Sequence, residues 1–281
     1  MKAFKKLLIF IAVVLVLVGG ILIGIGIKNR SFEQTYGERV ETIYEPEAEF
    51  NDISIKADIS DFVIVKSEDD KVRITCDETE KIFSKVNVSN NTLYIEQKDT
   101  RAWYEKIVVF TFPWHKALLV TVALPKDEYQ KFTLDQSTGD LSISDISFDD
   151  VNVKKSTGDI EVKNVNVVNT LSLTTSTGDV AIENVKAKEA LVKTSTGTEI
   201  LKNVITTERI NLKASTGDIK FSGIDSKSIT IKTSTGDIRG DVLTAKTFKV
   251  HGDEVKYPNT TGDECIAETS IGDVYITISN N

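Results

Sequence analysis

Residues 156–175 read Ser-Thr-Gly-Asp-Ile-Glu-Val-Lys-Asn-Val-Asn-Val-Val-Asn-Thr-Leu-Ser-Leu-Thr-Thr, and Ser-Thr-Gly begins again at Ser176. This unit decides the fold because it recurs. Its glycines stand at Gly139, Gly158, Gly178, Gly197, Gly217 and Gly236, nineteen or twenty residues apart, with imperfect copies at Gly252 and Gly272. A fixed period of this length marks stacked supersecondary units, each able to bury its apolar face only against its neighbours.

Within the unit, apolar residues fall two and four places after the glycine (Ile160 and Val162; Val180 and Ile182) and seven and five places before it (Val151 and Val153; Leu171 and Leu173). Alternation at period 2 marks strands with one buried face. A small turn-former followed by an apolar residue, as in Asn164-Val165 and Asn184-Val185, reads as a second corner. β-branched content and the missing 3.6 period exclude helix. The expectation is an all-β chain: a parallel two-sheet β-solenoid with two strands and two corners per coil. Parallel crossovers make it right-handed. Eight coils at about 4.8 Å each give a column roughly 38 Å long.

Turn chemistry accounts for the Ser-Thr-Gly-Asp corner. Glycine supplies a positive φ, and the carboxylates of Asp140, Asp159, Asp179, Asp218 and Asp237 accept nearby backbone N–H groups. A calcium stack is the competing reading. The known calcium β-rolls use a nine-residue repeat with more glycines, and Thr198 interrupts this ladder, so no metal and no cofactor are expected. Glu199 stands where other coils place an aliphatic residue, and a local bulge that turns it outward is the expected remedy. The Gly252 coil also departs, with Phe248 and Val250 one register off.

Four places before the glycine stand Lys154, Lys193, Lys213 and Lys232, with Asp135 and Thr174 completing the row. Whole-coil spacing makes them a basic stripe on an acidic body. It reads either as a solvated face that discourages lateral aggregation or as an array for a repeating anion such as a wall polymer.

Leu7 to Ile27 is uncharged for 21 residues, enough to cross a hydrocarbon core of roughly 30 Å. Lys2, Lys5 and Lys6 precede it, which favours residues 1–6 on the cytoplasmic side and the bulk of the chain outside. The competing signal-peptide reading lacks an Ala-x-Ala site and has too long an apolar run. A polar tether, 28–49, follows. Residues 1–30 hold five basic side chains and no acid, leaving 29 of the 34 basic residues against all 42 acidic ones. A body that acidic repels nucleic acid. Cys76 and Cys265 make no disulfide framework, and His115 and His251 lie too far apart to suggest zinc.

Residues 50–125 are β-rich without the glycine corner and read as an N-terminal cap on the solenoid repeats of 126–281. Asn90-Asn91 reads as a hairpin turn. Trp103, Tyr104, Phe110, Phe112, Trp114 and His115 cluster within thirteen residues. They are either a hydrophobic plug for the cap or a surface that binds a sugar or a protein partner.

The anchor, the Leu124-Pro125 ending of the cap and the Ser-Thr-Gly-Asp coils together resemble the bacterial family of β-strand-repeat proteins known as "putative adhesins". The resemblance spans about residues 46–281. It implies the fold, an extracytoplasmic location and no catalytic residues. Some members are membrane-anchored and encoded beside regulators of the envelope-stress response. No nucleophile elbow or phosphate loop is present, and no acids converge outside the repeating corner. The expected function is a non-catalytic, adhesin-like scaffold contacting envelope components or proteins. The alternative is a membrane-anchored accessory of a stress-sensing system.

Overall fold

The alternating residues of the repeat form strands throughout. The computed structural model describes residues 38–102 and 117–279, which are all-β: twenty-one strands in one sheet, with no helix among the described residues. None of them forms a helix long and apolar enough to cross a membrane, and the expected anchor at 7–27 lies outside the described residues.

Successive coils pair in parallel with a register of one repeat. Before the glycine, Val151 pairs with Leu171, Leu171 with Ala190, Ala190 with Ile210 and Ile210 with Ile229. After it, Ile160 pairs with Val180, Val180 with Glu199, Glu199 with Ile219 and Ile219 with Ile238. All these apolar side chains are buried and join one continuous core. Burying such alternating faces is the main favourable term in the fold.

Each repeat turns first at the glycine. It turns again where Asp145, Asn164, Asn184, Asn203 and Gly223 adopt φ of 53° to 65°. Beyond that corner the strand register shifts, between Phe148 and Val151, Val167 and Thr170, and Ala187 and Glu189. Between the second corner and this shift lies an additional inward run, whose outer column is Tyr129, Phe148, Val167, Ala187, Thr206 and Ser226. This column shrinks and turns polar along the molecule, which hid it from periodicity analysis. Aromatic packing fills its wide end, with Phe148 centred 5.5 Å from Phe132 and 6.3 Å from Tyr129.

The parallel ladders continue past the repeats. Asp52–Ile59 pairs with Glu128–Thr138, and Asp61–Lys66 pairs with Leu141–Ser144, so Ser60-Asp61 occupies the place of Gly-Asp. Thr92–Asp99 and Leu119–Leu124 form the next rung outward. Antiparallel strands then cover that end: Ile82–Ser89 pairs with Thr92–Asp99 through the predicted turn, where Asn90 and Asn91 have φ of 49° and 63°. Arg73–Glu78 covers Leu119–Leu124, and Val40–Tyr44 covers Arg73–Glu78.

The opposite end is also out of sequence order. Asp263–Ile271 sits between Ser228–Thr235 and Lys246–His251, so the Gly252 segment is the outermost rung. Gly272 has the corner geometry, φ 140° stacked on Gly236, and Gly252 has no positive φ. Lys246 fills the narrow polar end of the core. It is fully buried, its Nζ donating to the Ser226 carbonyl at 2.7 Å and pairing with Asp225 at 2.6 Å.

Candidate functional site

The glycine corner is a self-satisfied backbone structure. A Cβ on Gly178 would lie 2.1 Å from the Gly158 carbonyl oxygen, so glycine is required by contact as well as by its φ of 145°. Each aspartate binds the coil beside it. The amide of Asp159 donates to Asp140 Oδ1, that of Asp179 to Asp159, that of Thr198 to Asp179, and that of Asp237 to Asp218, at 2.7–3.0 Å. That last amide is the main reason the Asp218 carboxyl is held below its ordinary range. Inward threonines satisfy the corner carbonyls: Thr175 donates to the Gly158 oxygen, Thr233 to Gly217 and Thr269 to Gly236. No group of three His, Cys, Asp or Glu side chains gathers into a metal-holding cluster among the described residues.

The lysine row is assembled by the same register. Reading across the rungs it runs Glu96, Lys56, Asp135, Lys154, Thr174, Lys193, Lys213, Lys232, Glu268 and His251. Thr174 separates Lys154 from the contiguous run Lys193–Lys213–Lys232. Lys232 pairs with Glu268 at 2.7 Å, a half-exposed contact of small energetic weight. Among the described residues, no carboxylate lies within ion-pair distance of Lys193 or Lys213. Beside the row runs a line of exposed serines, and between the two lies an open groove of about 370 Å³ floored by Thr194, Ala214, Thr233 and Thr269.

Glu199 departs from the sequence expectation. No bulge turns it outward: it stays in register between Val180 and Ile219 and is completely buried. Thr194 Oγ1 donates to Glu199 Oε1 at 3.3 Å, and Oε2 has no partner. Burial pushes the carboxyl up to about 8. Lys155 is a further buried ionisable group. Burial pulls it down to about 8 against the nearby charges of Asp140, Asp159 and Asp61, and its Nζ donates to the Asp159 carbonyl.

Of the other candidates, Trp103, Tyr104 and Trp114 lie outside the described residues. Cys76 and Cys265 are free, buried thiols, pushed up by burial to about 11 and about 12, and behave as small apolar core residues. Sequence reasoning missed Glu199 as an interior group. Its only signal was that it kept the inward spacing.

The stacked β-ladders place the chain among repetitive all-β proteins. The Toastrack DUF4097 family model matches residues 50–251 and 201–280, and the chain belongs to that family. A solved structure described as a "putative adhesin" from Bacteroides fragilis is 17% identical. It covers 87% of this chain and 97% of its own, with a TM-score of 0.55, and shows the likeness of fold. A "putative adhesin" and a "Putative lipid binding protein", both from Parabacteroides distasonis, are 14% and 11% identical. They cover 86% and 85% of this chain and 96% and 97% of their own, at TM-scores of 0.43 and 0.24. No curated protein matches the chain.

Proposed function

We propose that this chain is a non-catalytic, adhesin-like binding protein, tethered to the cell membrane through residues 7–27 with its bulk outside, that contacts cell-envelope components. In this reading the coils wind as a right-handed parallel β-solenoid, a stiff column that displays one regular face. The observation that carries the reading is the contiguous run Lys193–Lys213–Lys232 on an otherwise acidic body, two of its members without an acidic partner among the described residues. The described carboxylates of the corner are committed to backbone amides, which leaves them poor candidates for acid–base chemistry.

The test is co-sedimentation of the full chain, in detergent micelles, with purified cell wall and with intact envelopes across a salt series. Saturable binding that weakens with salt is the expected result. Absence of binding to every fraction would remove the reading and redirect attention to membrane partners of residues 7–27.

A further inference from the structure

Facing strands normally place opposite charges on adjacent rungs, because like charges directly across a ladder repel. Some outward rows of this molecule keep the rule, and where Lys220 faces Arg239 each pairs with a neighbouring aspartate, Asp218 and Asp237. One outward row reads Lys163, Glu183, Lys202, and another places Glu189 beside Arg209, paired at 2.8 Å. The aspartate corner is a like-charged ladder, and there each repulsion is offset by a backbone N–H donated to the carboxylate. Lys193–Lys213–Lys232 has three cations in adjacent rungs and no such offset at its first two members. Among the described residues no charge offsets this repulsion at Lys193 and Lys213, and an anion supplied from outside would relieve it.

The groove's shape narrows the ligand. Lys193, Lys213 and Lys232 form one wall, which ends in Glu268 and His251, and Ser215, Ser234 and Ser270 form the other, with both rows repeating at the strand spacing of about 4.8 Å. A compact anion would meet one or two lysines. An extended chain with one negative group per repeat and free hydroxyls would meet all three, with the serines facing its hydroxyls. The groove is open along its length and lacks an aromatic platform or enclosed apolar end, so it suits a chain that lies along it.

We infer that the groove between the lysine and serine rows binds a linear anionic glycopolymer, with successive acidic groups of the polymer seated on successive rungs. This rests on the binding reading above and deepens it. The shared chemistry is the regularly spaced anion; a polyuronate supplies it as carboxylate and a poly(glycerol phosphate) as phosphodiester.

The test is equilibrium binding of the full chain in micelles to oligogalacturonates of increasing length, to poly(glycerol phosphate), and to a fully methyl-esterified, uncharged galacturonan. Thermal midpoints are measured in parallel. Affinity is expected to rise with length until the three lysines are spanned and then level off, with the uncharged polymer unbound. Lys213→Glu is expected to weaken binding about tenfold or more and flatten its salt dependence. The same variant is expected to keep or raise the thermal midpoint, since it restores the alternation seen at Lys163–Glu183–Lys202. Lys213→Gln serves as the milder variant. Binding to only one polymer identifies the acid. Binding unchanged by either variant, equal binding of the uncharged polymer, or no binding to either anion would overturn the inference. If wall sedimentation survives while Lys213→Glu has no effect, the groove assignment fails and the broader binding reading stands.

Discussion

Glu199 shows most clearly what one residue can decide. Its carboxyl occupies an aliphatic position between Val180 and Ile219 and accepts one hydrogen bond, from Thr194. The ordinary carboxyl loses its proton near 4.5, and this one holds it to about 8. Between those values the folded state binds a proton that the unfolded chain has lost, so stability falls as pH rises through this window. The full penalty, of up to about 5 kcal/mol, is present above pH 8. Glu199→Leu is expected to raise stability at pH 8 and to flatten the pH dependence between 5 and 8, read by denaturant unfolding. Lys155 has the opposite sign. Its folded value of about 8 lies below the ordinary 10.5, so its contribution improves as pH rises from 8 towards 10.5. At the corner, Gly178→Ala is expected to cost at least about 3 kcal/mol by the same measurement, because positive φ and collision with the Gly158 carbonyl act together.

Among the elements, the second corner is held by a side-chain ladder. Asn164 Nδ2 donates to Asp145, Asn184 to Asn164 and Asn203 to Asn184, at 2.9–3.0 Å. The ladder ends at Gly223, which keeps the backbone conformation with no side chain to offer. Asn184 therefore does two jobs. Asn184→Gly removes the ladder and keeps φ near 54°, at an expected cost of about 1 kcal/mol. Asn184→Ala loses both, at about 2 kcal/mol or more. Equal costs for the two variants, by thermal unfolding, would assign the role of this residue to hydrogen bonding alone. The asparagines were legible as turn-formers. The ladder between them was not, because it depends on coils 19 and 20 residues apart stacking in register.

Over the whole molecule, both ends depart from simple winding, and they differ in strength. One end carries three antiparallel strands, and Ile82–Ser89 pairs along its full length with Thr92–Asp99. The other end finishes in Lys246–His251 and the two-residue strand Val255–Lys256, paired on one side only. Lys246, buried against Ser226 and Asp225, anchors it. Hydrogen exchange is expected to be fastest in 246–256 and slowest in the central coils 160–212, since terminal rungs open without disrupting their neighbours. Lys246→Ala is expected to accelerate exchange in 246–256 selectively. Uniform acceleration across the coils would instead mean that the column unfolds as one unit.

Repeat period, strand alternation, the glycine corner and the adjacency of the lysines all followed from the chain alone, since each is a local pattern that any stacking of equal coils carries into space. The additional inward run was hidden, because its column runs from Phe148 through Val167 and Ala187 to Thr206 and never keeps one chemical character. Ser60-Asp61 was hidden for a related reason: a corner without glycine has no signature, and only its pairing with Gly139-Asp140 reveals it. The inward placement of Glu199 and the displaced last rung depend on which surfaces meet and what space neighbouring coils leave. Those are properties of packing between residues distant in sequence, so tertiary structure alone decided them.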